Sequence, residues 1–240
     1  MLMYGWMKFV EVAPGRYDWA VKLMTAGRLD QIKDEIAAAV RKGDNILDIG
    51  CGTGTLAIRC LQKGAASVTR LDTSEQMLEQ ARKHAEAAGL NDRLILVRDS
   101  VTQLRKHFAE GTFDVITSTM ALGEFPRDYL EFILRDCRTL LKPGGRLIVA
   151  DEVWPEGLIA RFFYRIGLTL MWIPQFLILR RAFFPIPNLR AVIEASGFEV
   201  VRSRSWFASS FQLFHGKPAT AGAGGHVVAA GTVAVGEQNA

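Results

Sequence analysis

The sequence predicts a doubly wound α/β fold built on a mostly parallel, seven-stranded sheet. From residue 45 onward, short β-branched or leucine-rich runs alternate with amphipathic stretches, the pattern of parallel strands with helices on both faces. The first run leads into the glycine-rich segment Gly50–Gly54 and then into an amphipathic stretch. A sharp strand-to-helix turn is therefore expected at the ligand-binding edge of the sheet.

Each element follows from its local pattern. Apolar runs predict five strands and a closing pair, at 45–49, 67–71, 94–97, 113–117, 146–150, 199–205 and 209–215. Apolar residues recurring every three or four positions predict helices at 55–63, 74–88, 102–108, 127–141 and 188–196, with Ser74 as an N-cap. Lys142-Pro143-Gly144-Gly145 predicts a helix stop and a tight turn before the fifth strand.

Residues 1–217 are expected to form one domain, followed by a disordered tail at 218–240 that is mostly Ala, Gly, Val and Thr. Within the domain, residues 1–42 form an N-terminal cap, helical from about residue 17 to 40, and residues 154–187 form an apolar insert. The net charge of +4 permits an anionic partner without requiring one. Three scattered cysteines predict free thiols and no metal site, and the first residues lack a signal-peptide pattern, so a cytoplasmic location is expected.

The glycine loop discriminates between cofactors. A triphosphate-binding loop needs a lysine after its glycines, and here Thr55-Leu56-Ala57 follow. A dinucleotide loop prefers glycine where this chain has Thr55, so an oxidoreductase is disfavoured but stays open. S-adenosylmethionine carries a sulfonium and an ammonium but no phosphate, so its loop needs close backbone approach and tolerates the nearby carboxylate of Asp48. The loop therefore favours S-adenosylmethionine.

Three carboxylates follow three successive strands of the predicted sheet. Asp48 precedes the glycines, and Asp72, at the end of the second strand, is placed to accept hydrogen bonds from both ribose hydroxyls. Asp99, after the third strand, is placed to accept from the adenine amino group, with Met77 and Val101 flanking the ring.

Four motifs together resemble those of the class I S-adenosylmethionine-dependent methyltransferases, in the subgroup that includes quinone and small-molecule methylating enzymes. They read ILDIGCGTG (46–54), LDTSEQML (71–78), FDVI (113–116) and LKPGG (141–145). The resemblance spans about residues 43–216 and implies a sheet that ends in an antiparallel hairpin. It also implies that the cofactor is lined by Gly50, Gly52, Asp72, Met77, Asp99 and Ser100. The predicted set also includes residues adjacent to these in the sequence, namely Asp48, Gly54, Thr73 and Val101.

Three further segments narrow the resemblance to one family of methyltransferases. Residues 7–18, 25–30 and 150–153 are similar to the corrinoid protein-associated methyltransferases, a family named for neighbouring genes and not for its acceptor. In related enzymes a tyrosine before the first helix closes over the cofactor. Tyr17 matches it, so Tyr17 is expected at the cofactor.

Methyl transfer from a sulfonium is an in-line displacement with a good leaving group, so desolvation and alignment can carry most of the catalysis. Asp151 and Glu152 end the fifth strand near the expected methyl group and are candidates for orienting or deprotonating an acceptor. The alternative is that both are solvated carboxylates at a loop start. His84 and His107 are expected to be solvated.

Three functions are compatible with these features. The first is methyl transfer to a small-molecule, lipid-like or corrinoid-pathway acceptor. The second is a non-catalytic S-adenosylmethionine-binding partner of a corrinoid or membrane complex. The third, a nucleic-acid methyltransferase, is disfavoured. Base-methylating enzymes usually carry Asn/Asp-Pro-Pro-aromatic after the fourth strand, where this chain has Ser118-Thr119-Met120-Ala121.

The apolar insert allows three roles. Arg161, Arg165, Pro174 and Gln175 interrupt it, which argues against a transmembrane span. A helix over 157–173 would carry both arginines on one face and mainly apolar side chains on the rest. Such a helix could be a lid over an apolar acceptor or an interface in a homodimer. Through residues 157–181 it could also contact an anionic membrane surface, which would make the protein peripheral.

Overall fold

The computed structural model describes residue 22 and residues 27–50, 52–166 and 185–220. Within these residues the sheet contains β1 (Asn45–Ile49), β2 (Ser67–Asp72), β3 (Leu94–Arg98), β4 (Phe113–Thr119), β5 (Leu141–Glu152), β6 (Phe198–Trp206) and β7 (Phe211–Pro218). The strands lie in the order β3-β2-β1-β4-β5-β7-β6. β1 to β5 pair in parallel, and β7 is antiparallel to both β5 and β6. The predicted fold class, with its closing antiparallel hairpin, is confirmed.

Helices cover both faces of the sheet. One face carries α1 (Arg28–Ala38), α2 (Thr55–Gln62) and α3 (Glu75–Ala87). The other face carries α4 (Leu104–His107), α5 (Arg127–Leu140) and α6 (Leu189–Ala195). Residues 158–166 are also helical and are called the insert helix. Among the described residues, no helix is both long and apolar enough to span a membrane.

Successive residues of the central strands alternate between two apolar cores. In β1, Ile46 packs under α1 and α2, whereas Leu47 packs under α5 and α6. In β4, Val115 and Ile116 divide in the same way. Parallel strands buried on both faces need continuous apolar runs, and such runs were the basis of the strand predictions.

The predicted helix stop is confirmed, because α5 ends at Leu140, but the predicted tight turn at Lys142–Gly145 does not precede the fifth strand. β5 already begins at Leu141, which pairs with Phe113, and the register shifts before Arg146 pairs with Val115. The intervening residues form a bulge in which Gly144 adopts a φ of 76°. The glycines therefore serve an irregular strand and do not separate it from the helix before it.

The N-terminal cap is described only in part. α1 packs beside α2 on one face of the sheet, with Ile32 and Ile36 fully buried. Arg59 of α2 donates to the carbonyl oxygen of Asp30 in α1. The parts of the chain that lie outside the described residues are 1–21, 23–26, 51, 167–184 and 221–240. They contain Tyr17, the second half of the apolar insert and nearly all of the predicted tail.

Candidate functional site

The candidate site lies where β1 and β4 are neighbours. Connections from these two strands lead toward opposite edges of the sheet, and this reversal opens a crevice at their carboxyl ends. Gly50, at the crevice, has a φ of 89°, and a Cβ added there would lie 1.9 Å from the Cβ of Ala121 in the loop after β4. Only glycine fits this contact, so the backbone of Gly50 packs directly against the side chain of Ala121.

The rest of the glycine loop turns tightly into α2. Gly52 has a φ of 111°, and Gly54, with a φ of 83°, is the N-cap of α2. Nδ1 of His84 in α3 lies 2.9 Å from the carbonyl oxygen of Thr53, to which it donates. The expectation that His84 is solvated is wrong, because this half-buried ring holds the loop in place.

A buried ion pair lies beneath the loop. Arg70 is fully buried in β2, with its Nε 3.5 Å from Oδ2 of Asp48. Its Nη2 donates to the carbonyl oxygen of Gly50 at 2.9 Å. Asp48 also accepts a hydrogen bond of 2.8 Å from Oγ1 of Thr117. Burial raises the pKa of Asp48, and the Arg70 charge opposes that rise. Sequence analysis missed Arg70, although a charged residue inside an apolar strand was a visible signal.

Asp72 ends β2 beside this pair. Its Oδ2 lies 3.9 Å from Nη2 of Arg70, and its Oδ1 accepts from the backbone amide of Ser74 at 2.9 Å. Ser74 is the N-cap of α3, as predicted, and accepts from the amide of Met77. Met77 is buried, whereas Thr73 is exposed. The half-buried carboxylate of Asp72 is thus held in a fixed position at the edge of the crevice.

Asp99 follows β3 and is bound by its own loop. Its Oδ2 accepts from Nε2 of His107 at 2.6 Å, and its Oδ1 accepts from the amide of Ser100 at 2.7 Å. The hydrogen bond from His107 holds the pKa of Asp99 below its ordinary value. Ser100 caps a short turn that begins with the buried Val101. His107 is exposed, as expected, and it is also the hydrogen-bond partner of Asp99.

The two carboxylates at the end of β5 are both buried, so the alternative that they are solvated is wrong. Asp151 accepts hydrogen bonds from the backbone amides of Leu122 (2.9 Å), Gly123 (3.3 Å) and Glu152 (2.7 Å). It thereby ties the loop after β4 to β5. Burial raises the pKa of Asp151 to about 7.

Glu152 points to the other face of β5, because successive side chains of a strand alternate. Its Oε1 accepts a 2.9 Å hydrogen bond from the hydroxyl of Tyr164 in the insert helix. Trp154 packs edge-on against Tyr164, with 5.8 Å between the ring centroids. Burial, followed by the Glu152 charge, raises the pKa of Tyr164, so its hydroxyl stays a donor. Sequence analysis missed Tyr164, whose one signal was a hydroxyl within an apolar stretch.

Thr119 ends β4 between the glycine loop and Glu152. It pairs with Ala150, two residues before Glu152, and stands one position beyond the last β1–β4 pair, next to Gly50. Its buried Oγ1 has no hydrogen-bond partner among the described residues. The next residue, Met120, is buried with a φ of 56°. An orphan hydroxyl and a strained residue at a strand end are typical of a binding site.

A cavity of about 810 Å³ opens beneath the insert helix. Its apolar lining includes Trp154, Leu158 and Phe162, and its polar lining consists of Glu156, Arg161, Arg165, Asn188, Arg190 and Gln212. The described residues contain no group of three or more His, Cys, Asp or Glu side chains that could hold a metal ion.

The chain is similar in sequence to known methyltransferases. A family model described as a methyltransferase domain matches residues 46–145. The ubiquinone/menaquinone biosynthesis C-methyltransferase UbiE of Cereibacter sphaeroides is 36% identical over 146 residues, which are 60% of this chain and 56% of that protein. The chain thus spans little more than half of this relative's length. The demethylmenaquinone methyltransferase of Thermus thermophilus is 31% identical over 212 residues, which cover 80% of this chain and 91% of that protein.

Solved structures share the fold at low sequence identity. A protein from Pyrococcus horikoshii has a TM-score of 0.63 and 18% identity, covering 81% of this chain and 91% of its own. The mitomycin 7-O-methyltransferase MmcR has a TM-score of 0.62 and 21% identity, and the match covers 89% of this chain and 60% of MmcR. The cyclase SpnF has a TM-score of 0.61 and 18% identity, and the match covers 80% of this chain and 81% of SpnF. Because one of these proteins is a cyclase, the fold alone does not determine the reaction.

Arg70→Met removes the cation beneath the loop and leaves Asp48 buried without its charged partner. We expect the free energy of unfolding to fall by about 3 to 5 kcal/mol in denaturant titrations. Arg98→Met is the control, because Arg98 in β3 pairs with Glu75 at the surface, and its loss should cost less than about 1 kcal/mol. Equal losses in the two variants would contradict the role of the buried pair.

Asp151→Asn tests the buried carboxyl of β5. The folded protein keeps a proton on Asp151 up to a pKa of about 7, whereas the unfolded chain releases it near the ordinary value of 3.8. Folded protein therefore binds more protons between these values, and stability falls as pH rises through this window. From pH 5 to pH 8, we expect wild type to lose about 2 to 3 kcal/mol more than Asp151→Asn in chemical denaturation. Parallel pH profiles would show that Asp151 does not titrate there.

Proposed function

The chain belongs to the class I S-adenosylmethionine-dependent methyltransferases, and we propose that it transfers a methyl group to a small, largely apolar acceptor beneath the insert. The observation that carries the proposal is a row of polar groups along the carboxyl edge of the sheet. Asp72, the Gly50 loop, Thr119 and Glu152 follow one another across β2, β1, β4 and β5. The row begins at the expected ribose position and ends at Glu152, and the next two residues, Val153 and Trp154, line the cavity beside the insert helix.

The residues at the glycine loop fit S-adenosylmethionine. Gly50 leaves no space for a Cβ and brings the backbone to the crevice. Asp72 presents a carboxylate that hydrogen-bonded ribose hydroxyls can satisfy. Asp99 and Tyr17 remain proposed contacts, with Asp99 already bound to His107 and Tyr17 outside the described residues. When bound, S-adenosylmethionine supplies a methyl group activated by its sulfonium.

Glu152 is proposed to contact the acceptor. Its carboxylate can take the proton that the acceptor loses as the acceptor's nucleophilic atom gains the methyl group. Tyr164 donates to Oε1 and so orients the carboxylate, and the orphan hydroxyl of Thr119 offers the acceptor a second polar contact. Asp151 already accepts three backbone N–H groups, so we assign it to positioning the loop after β4 and not to the proton transfer.

The cavity supports an acceptor with apolar bulk. Its volume of about 810 Å³ and its aromatic wall suit a drug-sized molecule. The names of two relatives place them in ubiquinone or menaquinone chemistry, which supports a quinone-related acceptor. A corrinoid-pathway acceptor stays a prediction that depends on the similarity of residues 7–18, 25–30 and 150–153.

Asp72→Ala tests the cofactor site. We expect isothermal titration calorimetry to show that wild type binds S-adenosylmethionine and S-adenosylhomocysteine. The variant should bind both more weakly by about 1.5 to 3 kcal/mol, because the ribose hydroxyls lose a charged acceptor. Asp92→Ala, a change at an exposed residue, should bind as wild type does. Absence of binding by wild type would refute the proposed function.

Glu152→Gln and Tyr164→Phe test the acceptor side, with a demethylated quinol as the acceptor. Glu152→Gln should lower kcat by about 10²- to 10⁴-fold because it cannot take a proton. Tyr164→Phe should lower kcat by about tenfold, since one hydrogen bond that orients the carboxylate is lost. The matched control is Tyr129→Phe on α5, where the side chain is 54% exposed. Neither variant should change the affinity for S-adenosylmethionine, and an unchanged kcat in Glu152→Gln would exclude the proton-transfer role.

A further inference from the structure

The insert helix carries an exposed apolar face. Leu158, Ile159, Phe162 and Phe163 are 85%, 76%, 62% and 66% exposed, and Ile166 is 43% exposed. Five of the nine exposed large hydrophobic side chains among the described residues thus lie in this one helix. Single exposed hydrophobic residues are ordinary, but a concentration of this kind marks an interaction surface.

The opposite face holds the helix to the body of the protein. The hydroxyl of Tyr164 donates to Glu152 at the end of β5, and the Tyr164 ring packs against Trp154. At the border between the two faces, Nε of the exposed Arg161 donates to the carbonyl oxygen of Pro155 at 3.0 Å. Contacts on the other side of the helix therefore hold Phe163 away from the body of the protein and place Phe162 at the mouth of the cavity.

The charge beside this face is mainly positive, with Glu156 as the acidic residue just before the helix. From residue 157 to residue 193 the sequence contains no Asp or Glu, and its charged side chains are Arg161, Arg165, Arg180, Arg181 and Arg190. Arg161 and Arg165 are exposed, one helical turn apart. Two copies of the chain packed through this face would bring like charges together in a medium of low dielectric, which opposes a homodimer. Cations beside apolar side chains match the phosphates and acyl chains of an anionic bilayer.

We propose that the insert helix docks the protein on the surface of an anionic lipid bilayer. Phe162 and Phe163 enter the boundary between headgroups and acyl chains, and Arg161 and Arg165 meet the lipid phosphates. The docking does not depend on methyl transfer. Because the other face of the helix holds Glu152, however, the docked surface lies next to the proposed acceptor site and gives an apolar acceptor a short route from the bilayer.

Vesicle flotation of the full chain tests the docking. The vesicles are phosphatidylcholine alone and phosphatidylcholine mixed with phosphatidylglycerol, at low and at high salt. We expect binding to the anionic vesicles at low salt, with a loss of about tenfold at high salt as the charges are screened. The double variant Phe162→Ser/Phe163→Ser should bind about tenfold or more weakly, because the apolar surface that enters the bilayer is lost. Arg161→Glu/Arg165→Glu should weaken binding by about fivefold or more per arginine.

Matched controls separate this surface from a general effect. Phe132→Ser on α5 removes a phenylalanine that is 47% exposed, and Arg82→Glu/Lys83→Glu on α3 makes the same charge change elsewhere. Both should float as wild type does, and circular dichroism should show every variant folded. The proposal would be overturned if the wild-type protein failed to float with anionic vesicles at low salt. It would also be overturned if Phe162→Ser/Phe163→Ser floated as strongly as the wild-type protein.

Two other occupants are distinguished by the same variants. A dimer that dissociates in Phe162→Ser/Phe163→Ser, without any vesicle binding by wild type, would assign the face to a second copy and overturn the proposal. Binding of single-stranded RNA in place of vesicles would overturn it in favour of nucleic acid. Flotation requires no cofactor or acceptor, so its outcome can be read even if methyl transfer is refuted.

Discussion

The buried ion pair between Arg70 and Asp48 is the constraint on which the geometry of the glycine loop, Gly50–Gly54, depends. Both groups have given up their water, so each needs the other in a fixed position. The pair joins β2 to β1, and the bond from Arg70 to the Gly50 carbonyl oxygen carries that constraint into the glycine loop. Gly50 must then lack a side chain, because the Cβ of Ala121 occupies that space. A pair that adds little net stability can therefore still determine the geometry of the loop.

The other wall of the crevice is held by a second buried carboxyl group. Asp151 binds the backbone of Leu122 and Gly123, directly after the residue that contacts Gly50. Asp48 and Asp151 lie on opposite faces of the sheet and fix the loops on the two sides of the crevice. A site whose walls are fixed before a ligand arrives needs little rearrangement on binding, which favours transition-state stabilisation by preorganised groups.

The sequence was sufficient for most of the fold, because burial on both faces of a parallel sheet forces continuous apolar runs. It was insufficient where the strand or hydrogen-bond partner of a residue comes from a distant segment of the chain. Glycines at 144 and 145 suit a turn and a bulge equally, and the pairing with β4 decides for the bulge. His84 and His107 have polar neighbours in sequence, yet their partners are Thr53 and Asp99. The cofactor motifs located the edge of the crevice, but not Arg70 beneath it.

Successive side chains of β5 point to opposite faces of the sheet, so the neighbouring carboxylates of Asp151 and Glu152 have different partners. Asp151 faces the backbone of the loop after β4, and Glu152 faces Tyr164 and the insert. The methyltransferase-domain match ends at residue 145, before either of them. The matched residues include the glycine loop and β1 to β4, whereas Tyr164, the cavity and the exposed helix all come later. Under the proposed function acceptor choice depends on that later part, so the insert is where relatives with one cofactor can diverge in substrate.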